Sequence, residues 1–331
     1  MPDRPLRCHF VWTGARFPYH ARLAVESALV SMPDAFASIH VVGPLPDGPH
    51  LRSVAGHDRV RVVRTRLDEC FESCPFGAAP YLALASRLVT PASISNLVRL
   101  AVLHRDGGVY LDTDVLVLRG LHDPERHGAY VGREWVWSTN RARIEGTWTW
   151  RDRIAAVPWA IRRSLVHVDA RAAGGRLRAA DRVDPERYHR LQVNNAVIGA
   201  PPRAAFVEAA LAAALDVDPT RRFALGPTLL DDVARALPGT VHVVPPTRFY
   251  AVPPGDSVRY FRDRRLEHPI DAQVMHYVAS NHRRLLSTLD VDDPRFARHP
   301  APFWRRAAEV RASVGSGATG RRDVIDLRQA G

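Results

Sequence analysis

Apolar residues follow two alternating rhythms along this chain, short runs and stretches with helical spacing. Residues 7–14 start as an apolar run and end in a glycine turn, which predicts a strand. Residues 19–31 place Leu23, Ser27 and Val30 along one helix. Strands follow at 38–43 and 60–65, and the proline-rich stretches 44–49 and 74–80 read as loops. Residues 95–105 carry Leu97, Val98 and Ala101 at helical spacing and run into Gly107-Gly108, a helix stop. Further strands are predicted at 109–111, 129–134, 193–200, 241–244 and 274–277, with helices at 202–215, 226–237 and 303–312. The rhythm breaks over 135–183, which holds Trp135, Trp137, Trp148, Trp150 and Trp159 and then an Arg/Ala-rich segment, 169–182, read as an exposed helix or flexible insertion. The Gly/Ser/Arg-rich end, 313–331, reads as a disordered tail. Strands alternating with helices predict one α/β domain over 1–312, a Rossmann-type, mostly parallel sheet with helices on both faces. Ligands of such sheets bind beyond the carboxyl ends of the strands.

Composition narrows the classes. The chain has 331 residues and is 46% hydrophobic, enough for a real core. No window is apolar over the ~18 residues of a membrane span, and the first residues lack the apolar core of a signal peptide. Cys8, Cys70 and Cys74 are an odd set without partners at zinc spacing, and a reducing cytoplasm is the expected location. The net charge is +11, yet all 46 basic residues are arginine. A GC-rich coding bias accounts for that, so the charge by itself is no argument for nucleic acid, and none is expected as a partner. Arginines clustered around a phosphate-bearing small substrate fit equally well.

The chemistry concentrates at Val109-Tyr110-Leu111-Asp112-Thr113-Asp114. In extended backbone, side chains two apart share a face, which turns Asp112 and Asp114 to one spot and Thr113 away. Two converging carboxylates call for a cation, and oxygen ligands suit Mg²⁺ or Mn²⁺ bridging to substrate phosphates. Trp12, ahead of a glycine turn, offers an aromatic face to a base. Arg99 lies one helical turn after Asn96, so the two share a face. Asn194-Asn195 is a poor strand-forming pair ahead of an apolar run; only one can face the site, and Asn195 is the preferred one.

Ser95-Asn96-Leu97-Val98-Arg99 and Gly107 to Asp114 together resemble the core of the DXD-containing sugar transferases, which include fungal initiating mannosyltransferases, capsular polysaccharide transferases and the catalytic domains of large clostridial glucosylating toxins. His9-Phe10-Val11-Trp12-Thr13-Gly14, Asn194 to Ala200 and Gly226-Pro227 are similar to further family features, so the resemblance runs over about residues 8–285. It implies a GT-A-like fold, a UDP- or GDP-sugar donor, a hydroxyl-bearing acceptor (a glycan or small molecule), a divalent metal (Mn²⁺ or Mg²⁺) and retention of anomeric configuration. By the same resemblance Phe10, Val11, Trp12, Asn96, Arg99, Tyr110, Asp112, Thr113, Gly226 and His282 would bind the donor. Asp112, Asp114, Arg99 and Asn195 would be catalytic, and Asp112, Asp114 and His276 would hold the metal. Asn96 replaces the acidic residue usual three before the arginine, and Asn281-His282 replaces the tryptophan that often ends the C-terminal motif, leaving His282 or Arg283 to meet the leaving phosphate.

Two other classes compete. Asp112-Thr113-Asp114-Val115-Leu116 also fits the first motif of haloacid-dehalogenase-type phosphatases, with Asp112 as nucleophile. Those enzymes carry the motif near the start of their domain and use a downstream lysine, which this chain lacks. The third class is a non-catalytic sugar-nucleotide-binding protein.

Overall fold

The computed structural model describes residues 5–137, 147, 149–157, 160–161, 164–165, 189–219 and 224–317. Trp148, Trp159, the segment 169–182 and residues 318–331 lie outside the described residues.

The run Arg7–Trp12, with aromatic Phe10 and Trp12 around β-branched Val11, forms β1, followed by helix α1 (Tyr19–Ser31), β2 (Phe36–Val42), α2 (Pro49–Ala55) and β3 (Val60–Thr65). These strands are parallel, in the order β3-β2-β1. Helices α3 (Leu67–Phe71) and α4 (Ala78–Ala85) occupy a stretch expected to be partly loop. Buried Cys70, Phe71, Cys74, Tyr81 and Leu84 dock them on the main core, so packing overrides the proline signal there. Helix α5 (Pro91–Asp106) is capped by Thr90, whose hydroxyl accepts from the Ser93 amide.

The end of α5 is fixed by two glycines. Gly107 and Gly108 have φ of +65° and +95°. A Cβ on Gly107 would lie 2.5 Å from Pro202, and one on Gly108 2.5 Å from the Arg7 carbonyl. Only glycine permits both the left-handed turn and the close approach. The chain therefore reverses within two residues and enters β4 (Gly108–Leu111) beside β1.

The seven-stranded sheet runs β3-β2-β1-β4-β7-β6-β8, with β6 at Tyr130–Trp137, β7 at His189–Ala200 and β8 at His242–Val244. It is mostly parallel, as expected, with one correction: β7 is antiparallel to both neighbours, β4 and β6. Hydrophobic patterning cannot show this, because a buried strand reads the same in either direction. Strand β5 (Val115–Val117) leaves the main sheet and pairs antiparallel with β9 (Val274–His276). Helices cover both faces. One core packs α1 against Phe10, Ile39 and Val109, and another packs α5 and the helix Ala205–Ala214 against Val11, Ile198 and Tyr110. A third core gathers Phe261, Tyr277, Phe303 and Trp304 under the last helix, Pro302–Gly317. That helix continues past residue 312 into the stretch expected to be tail.

Gly226 and Pro227 do not begin a regular helix. Gly226 has φ −111° and ψ −127°, and the α-helix starts only at Leu229. Among the described residues, no helix is long and apolar enough to cross a membrane.

Candidate active site

Asp112 follows β4 at its carboxyl end, where the sheet splits. The three residues 112–114 are not extended: the Val115 N–H donates to the Asp112 carbonyl at 3.1 Å and closes a turn. The two aspartates consequently take different partners instead of converging as a strand pair.

Asp112 faces α5. Its backbone N–H donates to the Ala196 carbonyl at 2.8 Å. Its carboxylate accepts from the Tyr110 hydroxyl at 2.5 Å and meets an Arg99 Nη2 at 3.0 Å. Arg99 is 4% exposed. Its Nε donates to the Ser95 carbonyl at 3.3 Å, its Nη1 donates to the Asn195 carbonyl, and its guanidinium stacks 4.3 Å above the Tyr110 ring. One buried cation thus ties α5, β4 and β7 together at the point where β4 ends. Asn195 points to the same side, its amide donating to Asn96 Oδ1 at 2.9 Å. Gly226 closes over this pair, and a Cβ there would come within 3.0 Å of the Asn96 amide nitrogen and 3.2 Å of that of Asn195. The sequence-predicted residues Asn96, Arg99, Tyr110, Asp112, Asn195 and Gly226 therefore form one contiguous cluster.

Asp114 takes its partners from the C-terminal segment. One of its oxygens accepts from the Ala279 N–H at 2.8 Å, and the other lies 3.5 Å from Nε2 of His276. The Tyr277 N–H donates to the Asp114 carbonyl at 3.2 Å, and the Tyr277 hydroxyl to the Thr113 carbonyl at 3.3 Å. The C-terminal segment wraps the aspartate through Val278, a β-branched residue at φ +52°. That conformation is rare and unfavourable for such a side chain, and it sets the Ala279 N–H onto the carboxylate.

The electrostatics of this half follow from burial and charge. Burial opposes ionisation of Asp114, but His276, the Ala279 N–H and His20 outweigh it and hold its pKa at about 2. Burial also opposes charge on His276, and Asp114, Glu134 and Asp112 overcome it, raising its pKa to about 9. His20, in the first turn of α1 and edge-on to Tyr277, is pushed by burial down to about 4. An imidazole drawn into its charged form by several carboxylates marks a region of negative potential that a cation would occupy. Carboxylate and imidazole donors also suit Mn²⁺. Asp114 and His276 are the two that stand together. Among the described residues no three acidic, histidine or cysteine side chains are gathered as a finished metal cage.

The remaining expected residues are placed differently. Phe10 and Val11 are buried on opposite faces of β1, which leaves only their backbone for a ligand. Trp12 is half-buried at the end of β1; its indole N–H donates to the Gly14 carbonyl at 2.9 Å and its ring meets Phe17 edge-on. His282 is held by the Ser257 hydroxyl at 2.8 Å and packs on Phe261.

Sequence reasoning passed over Glu134, His20, Tyr250 and the partner role of Asn194. Glu134 left no usable signal, because Val131, Trp135 and Trp137 make the alternate positions of its strand the more apolar ones, and the ladder is irregular between Val131 and Gly132. Trp135 and Trp137 continue the same strand, and Trp150 is exposed.

A cleft of about 540 Å³ lies at the other end of the strands, bordered by Arg7, Phe36, Arg61 and Arg105. Two buried histidines line it, and their hydrogen bonds form a closed chain. His9 Nε2 donates to the Gly107 carbonyl at 2.9 Å, His40 Nε2 donates to His9 Nδ1 at 3.1 Å, and the Thr65 hydroxyl donates to His40 Nδ1 at 3.3 Å. Neutral rings satisfy this chain. Burial, the largest influence, lowers the pKa of His9 to about 4 and that of His40 to about 3. The unfolded chain takes up these protons near pH 6.5 while the folded chain does not, so stability is full above that pH and falls as the pH drops toward 4. Each histidine contributes a slope of up to about 1.4 kcal/mol per pH unit. Urea midpoints at pH 7, 6 and 5 are expected to fall steadily, and a His9→Asn/His40→Asn variant should show a flatter dependence.

Residues 51–131 match the family described as "Glycosyltransferase sugar-binding region containing DXD motif". No curated protein matches the chain. Among solved structures, PaToxG Glycosyltransferase is 16% identical, with 72% of each chain covered and a TM-score of 0.43. Galactosyltransferase LgtC in complex with donor and acceptor sugar analogues is 13% identical over 93% of this chain and 96% of that one, with a TM-score of 0.41. The bifunctional glycosyltransferase WbbM is 10% identical over 94% of this chain and 50% of that one, with a TM-score of 0.44. The stretch of this chain that supplies Asn96, Arg99, Tyr110, Asp112 and Asp114 is thus the stretch that matches the sugar-binding DXD region of glycosyltransferases.

Proposed function

We propose that the protein is a retaining, divalent-metal-dependent glycosyltransferase that moves a sugar from a UDP- or GDP-sugar to a hydroxyl of a glycan or small-molecule acceptor. The observation that carries this reading is the split acidic site: Asp112 is fixed by Arg99 and Tyr110 on one side, and Asp114 by His276 and the Ala279 N–H on the other. A diphosphate seated between them would meet the buried guanidinium of Arg99, which opposes negative charge developing on a leaving phosphate. Mn²⁺ or Mg²⁺ would be held by Asp114 and by His276, which would give up its proton on binding the ion, and would supply Lewis-acid stabilisation of that charge. Asn96 and Asn195, bonded to each other under Gly226, present amides suited to sugar hydroxyls. Trp12 at the end of β1 offers its ring to the base. Asp112 is already engaged by a cation and a phenol, which disfavours its use as a free phosphatase nucleophile. The three buried free thiols accord with a reducing, cytoplasmic setting.

The test is a set of UDP- and GDP-sugars assayed for nucleotide release with Mn²⁺, Mg²⁺ or EDTA, and the product's anomer read by NMR. Release that EDTA abolishes and Mn²⁺ restores, with the donor's anomeric configuration kept, is expected. Full turnover in chelator would remove the metal from the reading, and failure of the protein to bind or hydrolyse any nucleotide sugar would remove the reading altogether.

A further inference from the structure

Glu134 has no part in the site as described so far. It lies on β6, beyond β7 from the DXD strand, with Gln192 as its cross-strand neighbour and Gly132 opposite Asn194. Alternation along β6 puts Glu134 on the same face as Gly132. Tyr250 packs against that face so closely that a Cβ on Gly132 would lie 2.6 Å from its ring. The ring of Tyr250 in turn meets His276 edge-on, with centroids 5.6 Å apart. Glu134 therefore approaches the Asp114–His276 half of the site from the C-terminal side of the sheet, opposite the side that carries Trp12.

Its surroundings are incomplete. The residue is 5% exposed. The Asn194 side chain is its hydrogen-bond partner, and among the described residues Oε2 is closed off from water and has none. A buried carboxylate oxygen without a donor is a defect for a protein that only has to fold. A hydroxyl group is a donor small enough to fit beside an aromatic ring and an imidazole, and a sugar presents several.

We propose that Glu134 is a sugar-binding residue whose orphan oxygen accepts a hydrogen bond from a sugar hydroxyl seated beside His276, supplied either by the transferred sugar or by the acceptor. This rests on the glycosyltransferase reading given above. A carboxyl group turned about its last bond exchanges its two oxygens, so either oxygen serves.

The experiment compares wild type with Glu134→Gln and Glu134→Ala. It measures thermal stability without ligand, Mn²⁺ affinity, affinity for UDP and GDP with Mn²⁺, affinity for UDP-glucose, UDP-galactose and GDP-mannose, and transfer to a set of methyl glycosides. Glu134→Gln keeps the shape and the Asn194 bond but removes a buried charge, so its melting temperature should equal or exceed that of wild type. Its affinities for Mn²⁺, UDP and GDP should stay within about twofold. Binding of the preferred nucleotide sugar should weaken by about 10- to 100-fold if the hydroxyl belongs to the transferred sugar, the range for a lost hydrogen bond to a charged group. Unchanged nucleotide-sugar binding and hydrolysis with a comparable loss of transfer to methyl glycosides would assign the hydroxyl to the acceptor. A tenfold loss of Mn²⁺ affinity would make Glu134 a metal ligand and overturn the proposal. Lower stability with unchanged affinities would make it structural, and no change in any readout would overturn the proposal too. Wild-type protein that binds UDP or GDP but no sugar conjugate, or none of these nucleotides, fails the glycosyltransferase reading first, and is told apart from failure at Glu134 by that fact.

Discussion

Asp114→Asn is expected to lower nucleotide-sugar turnover by about 100- to 1,000-fold, the loss seen when one element of a charge-stabilising site is removed. Asparagine keeps an oxygen for the Ala279 N–H, so the wrapped segment 277–279 should stay in place, while loss of the ion pair with His276 should lower the melting temperature. What disappears is the charge. Asp114 is the carboxylate nearest His276 and the largest influence raising its pKa to about 9. In Asp114→Asn the His276 pKa should therefore fall, which NMR titration of the ring reports without any assay of activity. Turnover maintained in the variant would place the reaction elsewhere. A His276 pKa that stays near 9 would mean that Glu134 and Asp112 dominate its environment.

Arg99→Ala is expected to destabilise the ligand-free protein by about 3–5 kcal/mol, the range for breaking a buried ion pair from one side. The guanidinium serves Ser95, Asn195 and Asp112 at once, and its removal leaves carbonyl groups of α5 and β7 without their donor. The Asp112 side chain is a quarter exposed, so water recovers part of its loss and the lower end of the range is the firmer expectation. Arg99→Lys should recover little, because an ammonium is a point donor and cannot replace a planar fork that also stacks on Tyr110. Urea unfolding of the three proteins measures this directly. A loss below about 1 kcal/mol in Arg99→Ala would show that Arg99 is held for ligand binding and contributes little to the fold.

The linear pattern of residues was sufficient for elements whose cause is local. The run Val109 to Leu111 is apolar and preceded by two glycines, and it becomes β4 because only glycine can turn α5 back within that space. Strands β1 to β3 and helices α1 and α5 likewise follow from short-range periodicity. The Asp112–Asp114 motif and its neighbour Arg99 were legible for the same reason, since one helix, one turn and one strand contain them all.

What tertiary structure alone decided is wherever distant segments meet. The direction of β7 is set by its pairing with β4 and β6, and a strand buried on both faces carries no sign of it. Residues 112–114 could have been extended; the segment 277–279, arriving more than 150 residues later, holds them as a turn and separates the two carboxylates. Asn194 and Asn195 are adjacent in sequence, yet one serves Glu134 and the other Asn96, because neighbours on a strand face opposite sides of the sheet. Glu134 comes near His276 only because β6 lies beside β7 and Tyr250 packs between Gly132 and His276. Side-chain chemistry and local spacing thus fixed which groups this protein owns, while long-range packing fixed which of them face each other.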